Sequence, residues 1–108
     1  MNIIETALGL KTRKQSKATE TSINVDYPKQ NECITSGMYT FRISAGSGLQ
    51  QIEVSLNGGS WSPCRWANGN WWFDWQASQT GSRVLLARGE TSTGEKVVSA
   101  RRAFTVKR

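Results

Sequence analysis

This 108-residue chain contains no histidine, which restricts the acid–base and metal chemistry that its side chains could carry out. Histidine is the usual general base near neutral pH and the commonest metal ligand. Glu53 and Asp74 are the carboxylates to consider as an acid–base pair for glycoside hydrolysis. We expect Glu53 to be an exposed strand residue, and Asp74 to pair with an arginine or cap a turn. The prediction is therefore a protein that is not an enzyme, with no metal site and no cofactor.

The tryptophans raise the main functional question. All five lie within residues 51–75, and the run WWFDW is the most aromatic part of that stretch. Successive side chains of a strand point to opposite faces. The face with three aromatic residues is expected to pack into a core, and its members are Trp71, Phe73 and Trp75. Trp72 is then left toward solvent, together with Trp61 or Trp66.

Exposed indoles beside polar groups would suit a carbohydrate ligand. Sugar rings have apolar C–H faces that stack on indoles, and amides and carboxylates bind their hydroxyl groups. The candidate ligand-binding residues are Trp66, Trp72, Asn68, Asn70, Asp74 and Gln76. The structural alternative is that the tryptophans fill a core or cover sheet edges, since single surface aromatics are common in proteins.

A net charge of +6 weakly favours anionic partners. Six basic residues fall on the last two predicted strands, and their outward members could form a stripe along a phosphate backbone. They are Arg83, Arg88, Arg101, Arg102, Lys107 and Arg108. The last four of these residues, which begin with Arg101, are expected to lie outside the core. No RNA-binding signature or recognition helix accompanies them, so we do not expect a nucleic-acid partner.

The first 22 residues differ from the rest and are predicted to form a flexible N-terminal arm. Ile3, Ile4 and Leu8 fit one face of a brief helix, and a basic, Ser/Thr-rich run follows. We expect no membrane span and no secretory signal, hence a cytoplasmic location unless a leader was removed. Cys33 and Cys64 could form a disulfide in an exported protein or remain two thiols.

Residues 23–108 are predicted to form one all-β domain. Short alternating apolar runs are separated by turn signals, among them Asn57-Gly58-Gly59 and Asn68-Gly69. About seven strands with no long helical pattern indicate an antiparallel β-sandwich. Ten further side chains are expected to face inward: Tyr39, Phe41, Ile43, Ile52, Val54, Leu56, Leu85, Ala87, Phe104 and Val106.

Three motifs carry a resemblance to a known family: IEVSLNGGSW, WWFDW and GSRVLLARGETSTGE. Together they resemble immunoglobulin-like domains of the early-set type, and especially the dimerisation domain of sulfite-oxidase-type molybdenum enzymes. Similar modules accompany bacterial surface and carbohydrate-active proteins. The resemblance covers about Pro28 to Lys107 and implies an immunoglobulin-like β-sandwich. The catalytic molybdenum domain has no counterpart here, so Cys33 and Cys64 do not inherit its cofactor-binding role.

The resemblance implies an accessory module, although a fold alone does not define a function. The function predicted from the sequence is a non-catalytic protein-interaction or assembly module, with a protein partner or self-association. The alternative is a carbohydrate-binding module that uses exposed tryptophans.

Overall fold

The computed structural model describes residues 20–108, and that part of the chain contains ten β-strands. Of the predicted arm, residues 1–19 lie outside the described residues, and so does the predicted helical face. The strands are β1 Ile23–Tyr27, β2 Glu32–Thr35, β3 Gly37–Ala45, β4 Gln50–Leu56, β5 Ser62–Pro63, β6 Arg65–Ala67, β7 Asn70–Ala77, β8 Gly81–Glu90, β9 Lys96–Val98 and β10 Arg102–Lys107.

The strands form two sheets, which confirms the predicted all-β sandwich. One sheet has four strands in the order β1–β3–β7–β6. The other has six, in the order β2–β10–β8–β4–β5, with β9 also paired to β8. One pair differs from the antiparallel prediction, because β2 runs parallel to β10 with Val106 opposite Ile34. No helix in residues 20–108 is long and apolar enough to cross a bilayer.

The core lies between the sheets and is centred on Phe41, which is fully buried. Its ring centroid lies 5.4 Å from that of Trp75, 6.2 Å from that of Phe73 and 6.0 Å from that of Phe104. The predicted inward residues Ile43, Ile52, Val54, Leu85, Ala87, Phe104 and Val106 are also buried, while Tyr39, Leu56 and Trp71 pack against this core with part of their surface exposed. The predicted core set is confirmed.

The structure has more strands than predicted because one stretch crosses between the sheets and another is interrupted within a single sheet. β5 ends at Pro63, and the Cys64 amide donates to Ile52 O at 2.9 Å. The chain then crosses to the other sheet, where β6 pairs with β7. The predicted final strand is interrupted between β9 and β10, where the Ser99 amide donates to Ala87 O at 2.7 Å.

Two tight turns adopt the backbone that their sequences predict. Asn57 and Gly58 have φ angles of 52° and 74°, and Asn68 and Gly69 have φ angles of 51° and 80°. Two consecutive positive φ values define the hairpin turn that asparagine followed by glycine favours. Asn57 Oδ1 also accepts a 2.8 Å hydrogen bond from the Val84 amide, so this turn is fixed to β8.

Candidate functional site

The outer face of the four-stranded sheet carries most of the predicted ligand-binding residues. Asn70, Trp72, Asp74 and Gln76 alternate along β7 on the side away from Trp71, which packs against the core. The neighbouring strands add Arg42, which is opposite Trp72, and Arg65, which is also opposite Trp72. The guanidinium group of Arg42 is directed to Asp26, whereas that of Arg65 reaches Asp74.

Asp74 is held in place by its neighbours on both sides. Thr40 Oγ1 donates to Asp74 Oδ1 at 2.7 Å, and Arg65 Nη2 donates to the same oxygen at 3.4 Å. The hydrogen bond from Thr40, followed by that from Arg65, lowers the pKa of this carboxyl group below its ordinary value. The predicted pairing of Asp74 with an arginine is confirmed.

Trp72 is half-buried, and its indole N–H forms a hydrogen bond within the protein. Its Nε1–H donates to Ala67 O at 2.8 Å, which fixes the indole over β6. A polar network continues from β7 to β1: Ser44 Oγ donates to Asp26 Oδ2 and lies 3.4 Å from Asn70 Oδ1. Arg42 Nε donates to Asp26 at 3.1 Å. The polar groups on this part of the face therefore already bind one another.

Trp66 does not join Trp72 on this face. It lies opposite Trp71 in the β6–β7 ladder, and its ring packs edge-on against Trp71 at a centroid distance of 5.2 Å. The Trp66 side chain is 59% exposed. Asn68 lies in the turn between β6 and β7. The six predicted residues therefore divide into four on the outer face, one in a turn and one on the opposite side.

The two carboxylates considered for acid–base chemistry are not brought together. Glu53 lies opposite Arg88 in the six-stranded sheet, and Arg88 Nε donates to its Oε1 at 2.9 Å. Glu53 was predicted to be exposed, but this ion pair leaves its side chain only 27% accessible. The Arg88 guanidinium also lies 4.2 Å from the centroid of the Trp61 ring. Glu53 and Asp74 belong to different sheets of the sandwich.

The predicted basic stripe is broken by the register of β8 and β10. Arg102 lies opposite the buried Leu85, and Arg83 lies opposite the buried Phe104. Because paired residues share a face, both arginines belong to the inner side of the sheet, whereas Arg88 pairs outward with Glu53. The prediction that Arg102 lies outside is wrong, since its side chain is partly buried and its Nε is fully buried.

The two cysteines are free thiols. Cys33 lies on the edge strand β2, whereas Cys64 follows β5 at the other edge of the same sheet. Four strand spacings of about 4.8 Å separate those edges, far more than a disulfide spans. Burial, with a smaller contribution from Glu53, raises the pKa of the Cys64 thiol to about 12. Among residues 20–108, no group of three His, Cys, Asp or Glu side chains could hold a metal ion.

Sequence reasoning missed an open edge on β7. Strand β6 pairs only with residues 70–72 of β7, whereas β3 pairs with residues 71–77 on the other side. Residues 73–77 therefore have a strand neighbour on one side only within residues 20–108. We call this segment the open edge. It exists because the chain crosses from the other sheet and enters β6 only at Arg65.

The direction of the backbone groups along the open edge follows from the hairpin that precedes it. In a two-residue hairpin, the pair that closes the turn exchanges both backbone hydrogen bonds, and bonded pairs then alternate. The closing pair is Ala67 with Asn70, so Arg65 with Trp72 is the next bonded pair. By the same alternation, the amide and carbonyl groups of Asp74 and Gln76 point to the open edge.

A cleft of about 280 Å³ lies beside the open edge, between the two sheets. Its lining is mainly apolar and includes three residues of the hairpin that follows β4. The lining residues are Val54, Leu56, Gly59, Ser60, Ser62, Phe73 and Trp75. We call it the edge cleft. Free backbone groups and an apolar recess therefore lie side by side.

No family model matches the chain, and no curated protein matches it. Solved structures do. The fibronectin(III)-like modules of Clostridium thermocellum CbhA match with a TM-score of 0.68 and 17% identity over 80% of this chain and 96% of that chain. CopC from Methylosinus trichosporium OB3b matches with a TM-score of 0.59 and 16% identity, over 80% of this chain and 94% of that chain.

A modular endo-beta-1,4-mannanase from Cellulomonas fimi matches with a TM-score of 0.62 and 15% identity. The match covers 80% of this chain, which spans only 18% of the mannanase chain. At such low identities these likenesses show the fold alone. The protein has an immunoglobulin-like or fibronectin(III)-like β-sandwich fold. The likeness to sulfite-oxidase-type enzymes is not among these matches and stays a prediction.

Proposed function

We propose that this domain is a non-catalytic protein-interaction module that binds an extended segment of a protein partner as an added strand along the open edge of β7. The observation that carries the proposal is the position of the edge cleft next to free backbone groups of Asp74 and Gln76. Strand addition draws its affinity from backbone hydrogen bonds and its specificity from pockets for alternate side chains.

The dimensions of the site fit such a partner. Asp74 and Gln76 are two residues apart, which is the spacing at which one neighbouring strand exchanges hydrogen bonds. The side chains of that strand alternate between the outer face and the sandwich interior. Inward side chains would enter the edge cleft, where Val54, Leu56 and Phe73 offer apolar contacts. The partner segment is therefore extended, with apolar residues at alternate positions.

The edge is exposed to such pairing because it has little of the protection that sheet edges usually carry. Proteins guard edges with lysine, proline, bulges or a covering segment. Residues 73–77 include no proline and no lysine, and the register with β3 is regular over this segment. The predicted resemblance to a dimerisation domain supports the same class of role.

A selection of displayed peptides against the full chain would test the proposal. We expect binders with alternating apolar residues, and their addition should perturb the NMR amide signals of Asp74 and Gln76. Gln76→Pro removes an amide that points to the open edge and should abolish binding, whereas Met38→Ala, on the neighbouring strand, should not. Selected peptides that bind Gln76→Pro as well as the wild type would contradict the proposal.

Carbohydrate binding is the second candidate, and the exposure of Trp66 favours it. Its indole is 59% exposed and is supported edge-on by Trp71, an arrangement that leaves ring surface available for a sugar. Trp72 is less available to a sugar, because its indole N–H is bound to Ala67 O. We therefore place a glycan, if one binds, at Trp66 and not on the outer face.

The two tryptophans can be separated by titration with a panel of polysaccharides. Under this second candidate, Trp66→Ala removes the fluorescence response and Trp72→Phe keeps it. No response from the wild-type protein across the panel would eliminate carbohydrate binding without affecting the proposed strand addition.

A further inference from the structure

We propose that the open edge of β7 pairs with the same edge of a second copy of this chain, in an antiparallel and two-fold symmetric manner. This inference rests on the proposed function and names the partner strand. The reason is that the sequence of residues 73–77 is complementary to itself when it is reversed about Trp75.

Antiparallel pairing centred on Trp75 sets Asp74 opposite the partner's Gln76, and Gln76 opposite the partner's Asp74. These are the residues whose backbone groups point to the open edge, so the two pairs exchange four backbone hydrogen bonds. Any other centre on this edge gives a shorter ladder. A register shifted by one residue would also direct bonded residues away from the partner.

The side chains on the outer face fit this register. Asp74 Oδ1 already accepts from Thr40 and Arg65, which leaves Oδ2 for another donor among the described residues. The Gln76 side chain is exposed and carries an amide NH₂ group that can supply that hydrogen bond. Two-fold symmetry forms this contact twice, with a carboxylate and an amide directly opposite each other in both cases.

The side chains on the inner face form two large–small pairs and one aromatic pair. Phe73 lies opposite the partner's Ala77, so a large residue meets a small one, and Trp75 meets the partner's Trp75 on the symmetry axis. Phe73 and Trp75 both line the edge cleft. The Phe73–Ala77 pairs combine a large and a small side chain, and the two Trp75 residues form an aromatic cross-strand pair of the kind that stabilises antiparallel ladders.

The five-residue length of the open edge limits the interface. Strand β6 begins to cover β7 at Trp72, so residues 73–77 pair with residues 77–73 of the partner and the ladder ends where each copy's β6 begins. A ladder of this length buries much less surface than a stable obligate dimer. The association is therefore transient, and it must be measured up to high protein concentration.

Sedimentation velocity of the full chain, over micromolar to millimolar concentrations, tests the pairing. Gln76→Glu places a carboxylate opposite Asp74 twice and should weaken the dimer roughly two- to thirtyfold, whereas Gln76→Lys should strengthen it by a similar factor. Each copy carries a net charge of +6, so general charge repulsion predicts the opposite order. Met38→Glu and Met38→Lys are matched controls, because Met38 is opposite Gln76 on β3, one strand away from the edge.

Hydrogen exchange gives a second readout that does not depend on any variant. The amides of Asp74 and Gln76 should become more protected as the protein concentration rises, while those of Phe73 and Trp75, which bond to β3, should not change. A monomer at all concentrations, or Gln76 variants that shift the dimer constant no more than the Met38 variants, would overturn the inference. If peptides still bind at the edge of such a monomer, the proposed function stands; if they do not, both fall.

Discussion

Thr40 and Asp74 face each other across the β3–β7 ladder, and Thr40 Oγ1 donates a 2.7 Å hydrogen bond to Asp74 Oδ1. The two residues are 34 positions apart in the sequence. Asp74 is therefore bound to a threonine on one side and to Arg65 on the other. Both contacts favour the charged carboxylate, so the pKa of Asp74 is lowered.

Thr40→Val should raise the pKa of Asp74 toward its ordinary value, because it removes the largest cause of the lowering. NMR titration of the side-chain carboxyl carbon measures this directly. The interaction stabilises the fold above the unfolded-state pKa, and that contribution is lost as the pH falls through the lower folded-state pKa. Arg65→Gln should give a smaller change in the same direction. An unchanged pKa in Thr40→Val would show that the hydrogen bond does not form in solution.

The two thiols should differ in reactivity in the folded protein. Cys33 is exposed, whereas burial raises the pKa of Cys64 to about 12, and only the thiolate reacts with disulfide reagents. A thiol assay at mildly alkaline pH should therefore find one fast thiol per chain in the native protein and two after denaturation. Cys33→Ser should remove the fast phase. A fast phase that survives in that variant would contradict the placement of Cys64.

Phe41 should be the core position most sensitive to truncation. Its side chain is fully buried and contacts Phe73, Trp75 and Phe104. Phe41→Ala should lower the free energy of unfolding by about 3–5 kcal/mol, measured by urea denaturation with tryptophan fluorescence. Met38→Ala on the same strand, with Met38 67% exposed, should change it by less than about 0.5 kcal/mol. Equal effects would mean that the inner face of β3 is assigned wrongly.

Arg88 and Trp61 should be energetically coupled. The guanidinium lies 4.2 Å from the ring centroid and is oriented by its 2.9 Å hydrogen bond to Glu53. A double-mutant cycle with Arg88→Met and Trp61→Leu should give a coupling of about 0.5–1 kcal/mol in the free energy of unfolding. Additive effects of the two substitutions would show that the stacking does not stabilise the fold.

The alternation of polar and apolar residues within single strands was sufficient to predict much of the sandwich. It separated Trp71, Phe73 and Trp75 from Trp72, and the structure places the first three against the core. The position of Trp66 needed the register between two strands. The Asn68-Gly69 turn indicates this register, because a two-residue hairpin sets Trp66 opposite Trp71.

Features that depend on where the chain changes sheets could not be predicted in this way. The open edge exists because β6 has only three residues and the chain crosses between sheets at Cys64. That arrangement depends on contacts between distant segments, which local sequence patterns do not encode. Arg102 is a different case, because alternation along β10 places it on the same face as the buried Phe104 and Val106. The prediction that Arg102 lies outside did not follow that alternation.

The parallel pairing of β2 with β10 also determines how the domain would bear mechanical load. Strand β10 lies between β2 and β8, so a pull on the C-terminal end acts on two ladders at once. Within residues 20–108, strand β1 is at the edge of the other sheet and pairs with β3 alone. A force applied between the two ends of the described chain would therefore detach β1 first, while the pairing of β10 with β2 and β8 stays intact.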